Sequence, residues 1–359
     1  MLIPIAQGRS LFTQAFIGSW KETYPVTNFG RTYFQNKTVP TKFVSTEVRR
    51  GFRNIAADVE RGADPNYNKG TVSTEKIYQP PYFYEAFTSN ELNVFDQLFA
   101  TQGDVVDSAI VAAATQEVRD MFDNVRNKIE RAYEKQSWQC LQTGVVTSSR
   151  QDNLDFKAKA THIKTLNTKW DNATPKIFDS IREILDTLKA DGAAAVEFDV
   201  ILGTTAADTF FASDEYAKIS KTYPLVPGNY IMPQAQMQTG AVFHNRIPVG
   251  PYIINILTYN EGYETVSGTT RTYVPYIDPK KVVVIARSFT GFMTFAAVPR
   301  LLTAPTSDVP QFAQVMDQGA YVLNNYTDPQ KAVHVFDIKS AGVPIPLTID
   351  HFACLTVLA

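Results

Sequence analysis

The chain has 359 residues, of which 44% are hydrophobic, 12% aromatic and 19% charged, which is enough apolar surface for a sizeable core and too much for a wholly disordered or acidic-tail protein. Its 34 Lys+Arg stand against 36 Asp+Glu, a formal net charge of −2, and this excludes nucleic-acid binding through one broad basic face. Met1-Leu2-Ile3-Pro4-Ile5 lacks a basic region followed by a long apolar stretch, and no run approaches the roughly 20 apolar residues of a membrane helix; the expectation is a protein made in a cytoplasm, with no membrane partner.

Residues 1–40 mix breakers (Pro4, Gly8, Gly18, Pro25, Gly30, Pro40) with aromatics (Phe12, Phe16, Trp20, Phe29, Tyr33, Phe34). A solvated tail would not carry so many aromatics, nor a helix so many breakers, so this is an extended arm lying on an apolar surface of its own domain or of a neighbouring subunit. Residues 41–88 hold two alternating runs, Lys42 to Val48 and Thr71 to Tyr78, around the turn-rich stretch Arg61 to Gly70. They predict a long β-hairpin with little core of its own, in need of a partner surface.

From about Asp104 to Gln142 the period becomes helical, with Ile110, Ala114, Val118, Met121/Phe122, Val125, Ile129 and Tyr133 on one stripe. Arg119 with Asp123 and Arg126 with Glu130 are opposite charges four apart. About 35 residues at 1.5 Å each make a rod of roughly 50 Å, a spine whose stripe should pack on the strands after Gly144 and on the C-terminal strands. The alternative is two shorter helices broken near Gln102-Gly103 or Gln136-Ser137.

Polar strand-like segments run to about Asn172. Thr174-Pro175 then opens a helix with Ile177, Ile181, Ile184/Leu185 and Leu188 buried and Gly192 stopping it. Strands are predicted over Val196 to Leu202, Val249 to Leu257 and Val282 to Ile285, a short helix over Thr204 to Ser213, and a Phe-rich run over Phe289 to Phe295. Further strands lie at Ala332 to Ile338, around Val343 to Pro346, and at His351 to Leu358. The class is α+β, and no internal repeat is visible.

Catalytic constellations are missing from the sequence. His162, His244, His334 and His351 are far apart and belong to no HExxH pattern; GxSxG, GxxxxGK[ST] and GxGxxG turns do not occur. Cys140 and Cys354 lie in no CxxC pair and are expected as buried thiols. Asp64, Asn66, Asn68 and Glu75 fall at positions 1, 3, 5 and 12 of a calcium-loop pattern, but Lys69 stands where that turn needs Gly and Gly70 comes one residue late, so a solvent-exposed hairpin tip is the better reading. Glu130 and Glu134 are paired on one helix face; with Arg126, Arg131 and Lys135 nearby they read as a solvated or intersubunit salt network. No catalytic, metal or cofactor residue is therefore assigned.

The order arm, hairpin, long helix, α+β unit and returning strands resembles the tailed-bacteriophage major capsid proteins, and the chain most resembles their lambda-type branch, the capsid protein E family. The resemblance is carried by Thr38-Val39-Pro40-Thr41 with Val44, Arg49-Arg50-Gly51, Gly62 to Gly70, Pro80-Pro81 with Phe83 and Phe87, Val274-Pro275-Tyr276-Ile277-Asp278-Pro279 before Val282 to Ile285, and Val343-Pro344-Ile345-Pro346 followed by Phe352.

That resemblance implies an arm over residues 1–40, an extended loop over 41–88, a peripheral domain from 89–171 and 331–359 with its spine helix at about 104–142, and an axial domain over 172–330. It implies a subunit that assembles with itself into hexamers and pentamers of an icosahedral head. Scaffolding, portal and decoration proteins would be its partners, double-stranded DNA would be packaged by non-specific proximity, and assembly would take place in the host cytoplasm. Lys69 is the one positional candidate for the Lys–Asn crosslink of some members, and without a recognisable partner motif that chemistry is not carried over. Two alternatives stand beside this reading: an encapsulin-like nanocompartment shell, and, from a different class, an α+β hydrolase or sugar-binding protein with a fold-assembled site.

Overall fold

The structure, a computed structural model, describes residues 26–49, 73–90, 107–148, 153–172, 175–222, 239–303, 312–317, 320–328 and 333–359. After a 3-10 turn at Gly30–Tyr33 come β1 (Phe34–Thr38), β2 (Val44–Arg49), β3 (Ser73–Tyr78), β4 (Phe83–Asn90) and the long helix α1 (Asp107–Thr143). Short strands β5 (Val145–Val146), β6 (Leu154–Asp155) and β7 (Ile163–Thr165) lead to α2 (Ile177–Ala190), β8 (Glu197–Leu202), α3 (Thr204–Phe211) and α4 (Asp214–Thr222). Two hairpins follow, β9 (Ala241–Val249) with β10 (Tyr252–Tyr259), and β11 (Gly262–Ser267) with β12 (Thr270–Pro275). The chain closes with β13 (Lys281–Ala286), β14 (Gly291–Phe295), β15 (Val298–Thr303), β16 (Phe312–Asp317), β17 (Val322–Asp328), β18 (Val333–Ser340), β19 (Gly342–Pro346) and β20 (Phe352–Thr356).

A six-stranded mixed sheet in the order β7-β20-β13-β8-β10-β9 divides the interior. Successive side chains on a strand point to opposite faces, and here both faces are buried. Phe198, Val200 and Leu202 of β8 and Val282, Val284 and Ala286 of β13 join a core built on α2. Ile201 of β8 and Val283 and Ile285 of β13 join a second core that contains α1. The α2 side is supplied by Ile177, Ile181, Ile184, Leu185 and Leu188, the helical stripe expected of it. Residues 163–165 and 352–356 thus share one sheet with β8, β9, β10 and β13.

Helix α1 runs unbroken through Gln136 and Ser137, so the two-helix alternative fails there. At 37 residues it is about 55 Å long. It packs on β4, β5, β18, β19 and β20, that is, on the strand after Gly144 and on the C-terminal strands. Ile129 and Tyr133 are buried, while Phe122 and Val125 are partly covered at the rim; the side chains of Ile110, Ala114 and Val118 lie outside those described.

One departure from the sequence reading has a local cause. The strand expected over 249–257 is interrupted by a turn, because Gly250 at φ +60 followed by Pro251 reverses the chain between β9 and β10; Gly at the first position of a two-residue hairpin loop is what such a turn requires. Strand β4 pairs along its length with β18, from Phe83 opposite Ser340 to Asn90 opposite Val333. The hairpin over β2 and β3 forms as expected, with Val44 opposite Tyr78. The loop 61–70 and residues 1–25 lie outside the described residues.

Candidate functional site

A dense, buried polar constellation lies where the segment 27–33 crosses α1. Glu134 has 0% exposure and accepts four hydrogen bonds: Gly30 N to Oε1 at 2.7 Å, Arg31 N to Oε2 at 3.0 Å, Trp138 Nε1 to Oε1 at 2.7 Å and Tyr259 Oη to Oε1 at 2.9 Å. Three of these groups can only donate, so they fit the carboxylate form. Burial pushes the Glu134 carboxyl above its usual range and the donors pull against that shift. Tyr259, its proton committed to Glu134, is left to accept from Thr27 Oγ1 at 2.8 Å, and burial together with the Glu134 charge raises its phenol well above the ordinary value.

One turn earlier, Glu130 forms an ion pair with Arg31 and accepts from the Tyr321 hydroxyl. The Arg31 guanidinium also lies 5.6 Å from the Tyr133 ring centroid and 5.9 Å from that of Phe295. Tyr133 shares a hydrogen bond with Ser340, which in turn donates to the Ala320 carbonyl. Desolvation raises Tyr321 to about 12. The expectation of a solvated or intersubunit carboxylate pair is therefore corrected. Both glutamates are buried, because the aromatic floor of Phe29, Trp138 and Tyr259 excludes water while the turn at Gly30 supplies the donors. Apart from Trp138, one turn past Glu134 and the only local sign, these partners lie 99 or more positions away.

What this arrangement does is hold a chain segment. Removing any one partner would strand buried donors or a buried charge, which is costly. Past the latch, β1 adds in parallel to the edge of β14, Phe34 opposite Gly291 and Thr38 opposite Phe295, with Phe34 buried and the other four side chains exposed.

The histidines do not meet. His162 is fully buried, with Nε2 2.7 Å from Asp191 Oδ2; partial burial pushes Asp191 up, but bonds from Lys159 and His162 hold it below the usual carboxylate value. His244 Nε2 lies 2.8 Å from Thr258 Oγ1, and His351 Nδ1 lies 3.1 Å from Ser288 Oγ. The His334 side chain lies outside the described residues, as do Asp64, Asn66, Asn68, Lys69 and the Glu75 side chain of the calcium-like pattern. Cys140 and Cys354 are free and buried; burial raises both thiols, Cys354 to about 12, away from nucleophilic use. Among the described residues no three His, Cys, Asp or Glu side chains converge as metal ligands would, and no helix is long and apolar enough to cross a membrane.

A long helix thus carries the latched segment 27–33, and strands from the C-terminal end return onto it. A protein assigned as a prophage capsid protein from E. coli CFT073 shares the fold with TM-score 0.61 at 16% identity, covering 100% of both chains. The capsid structure of cyanophage P-SCSP1u gives 0.50 at 9% identity, over 99% of this chain and 98% of that one. A structure from Microbacterium phage Oxtober96 gives 0.50 at 12% identity, over 99% of each. No curated protein matches the chain.

The fold is the α+β tailed-phage major capsid fold. The family model of the phage major capsid protein E covers residues 22–356; the chain belongs to that family, and its role is structural, as a subunit of a virion shell.

Proposed function

We propose that the chain is the major head subunit of a tailed phage, assembling with itself into hexamers and pentamers of an icosahedral shell around double-stranded DNA, in the host cytoplasm. Residues 1–40 act as its arm and 41–88 as its extended loop; residues 89–171 with 331–359 form the peripheral domain on α1, and 172–330 the axial domain, the two meeting inside the six-stranded sheet between β20 and β13. Scaffolding and portal proteins are its assembly partners.

The observation that carries this reading is the family match over residues 22–356. The base of the β2–β3 hairpin supports it physically. Val44 and Tyr78 face the core, whereas Phe43 is 50% and Ile77 68% exposed on the other side; such a hairpin gains its missing burial from a neighbour, coupling its order to assembly. The near-neutral charge suits a lining that must release DNA, since every neutralised phosphate adds salt-sensitive affinity. The test is expression with the adjacent phage proteins, followed by electron microscopy: closed shells are expected, and native particles should contain DNA. A monodisperse monomer at every salt and protein concentration overturns the reading, and a protein cargo in place of DNA would favour the nanocompartment.

A further inference from the structure

Resting on that reading, the geometry points to a specific contact between copies: the β11–β12 hairpin of one subunit seats in the groove between α2 and β7 of a second copy. The hairpin leaves the body at Gly262 and Pro275, and every residue from Glu264 to Thr272, with Tyr273, is exposed. A two-stranded hairpin with both faces in water is marginal by itself, and exposed Thr- and Val-rich strand edges invite pairing. Directly opposite residues of an antiparallel pair share a face. Val266 opposite Arg271 and Glu264 opposite Tyr273 therefore place two apolar side chains, 67% and 57% exposed for Val266 and Tyr273, beside one acid and one base. Among the described residues Glu264 pairs with Arg271 at 3.7 Å, and an exposed pair of this kind is worth little and is easily exchanged.

The receiving groove has the complementary composition. It holds about 390 Å³, with Leu166, Ile184 and Leu355 as its floor and Lys164 and Glu183 at its rim. Lys164 Nζ lies 2.6 Å from Glu183 Oε1, both being accessible. Strand β7 ends the six-stranded sheet, so its outer edge pairs with no strand among the described residues. Docking sets Val266 and Tyr273 on the apolar floor, Glu264 against Lys164 and Arg271 against Glu183, exchanging two weak ion pairs within subunits for two between them. The contact uses different patches on the two copies; such a heterologous contact repeats head to tail and closes into rings when its rotation allows.

The test is a disulfide trap in assembled shells. A chain carrying Val266→Cys with Thr187→Cys, a groove-wall position, is expected to give a ladder of linked oligomers on oxidation, with more than half of the chains linked and neither single variant forming it; the native cysteines are buried. Two polarity swaps supply an independent readout. Lys164→Glu with Glu183→Lys, and Glu264→Lys with Arg271→Glu, each keep the pair within the subunit, so folding is undisturbed. Either swap alone should cut the trapped yield at least tenfold, and the two together should restore it. Shells that form normally with no trapped ladder, or with swaps that change nothing, overturn this contact and leave the shell function standing; a chain that never forms oligomers overturns both.

Discussion

Gly30 donates its backbone N–H to Glu134 Oε1 at 2.7 Å, across 104 positions of sequence. The pair ties the start of the described chain to the C-terminal third of α1, and it does so inside an aromatic shell. A carboxylate there is worth keeping only while its donors are in place, so the latch and the order of residues 27–33 stand or fall together.

Glu134→Gln should destabilise the subunit by about 1–3 kcal/mol, because the new amide turns a donor toward groups that themselves only donate. Glu134→Leu should cost more, since Gly30 N–H and Trp138 Nε1–H both lose their acceptor. Urea unfolding of the unassembled subunit measures both. Equal stability of all three chains would mean that water replaces the carboxylate.

Gly30 itself is required by space. A Cβ built there would lie 2.6 Å from Trp138 Nε1 and 2.8 Å from Cε2, and the indole is buried and hydrogen-bonded. Gly30→Ala should therefore cost about 1–3 kcal/mol by overpacking and should speed amide exchange at Arg31 without affecting β13. An unchanged melting temperature with unchanged exchange would show that the indole can move aside.

Helices α1, α2 and α3 were legible because each carries its own signal, whereas α4 (Asp214–Thr222) went unread. The stripes of α1 and α2 repeat within the segment, and the burial of Ile177, Ile181, Ile184, Leu185 and Leu188 follows that period. Glu130 and Glu134 were misread for the converse reason: their neighbours in sequence are basic, but their partners in space come from residues 27–31, 259 and 321. The strand over 249–257 ran through a Gly-Pro pair that was itself the turn signal. The β11–β12 hairpin, whose alternation brackets Gly268, carried a readable pattern that polarity masked. Sheet order stayed out of reach, since β7 meets β20 from almost two hundred positions away and nothing in Ile163–Thr165 announces it.

The refined stripe on α1 ranks its residues. Ile129 is 1% exposed, and Ile129→Ala should cost about 2–5 kcal/mol; Phe122, only partly covered, should cost less. Arg126 is exposed, its guanidinium 5.7 Å from the Tyr321 ring centroid, so Arg126→Ala should change stability by less than about 1 kcal/mol. Denaturation of the unassembled subunit checks the order, and a silent Ile129→Ala beside an unfolded Arg126→Ala would mean that the helix buries another face.

His244 makes stability depend on pH. In the pairing of β9 with β10, Asn245 stands opposite Ile256 and Phe243 opposite Leu257, which leaves His244 as the extra residue of a β-bulge. Its ring lies 4.6 Å from that of Phe211, and burial holds its pKa below the ordinary 6.5. A histidine whose folded-state pKa is lowered favours the neutral ring, so its contribution is fully present above pH 6.5 and is lost as pH falls from there through the folded-state value. Melting temperatures of the free subunit should therefore decline over that interval, and His244→Gln, which keeps a hydrogen-bonding group for Thr258 but cannot titrate, should reduce the decline. Proton NMR of the imidazole gives the direct check: a His244 resonance titrating at or above 6.5 in the folded subunit would remove this contribution altogether.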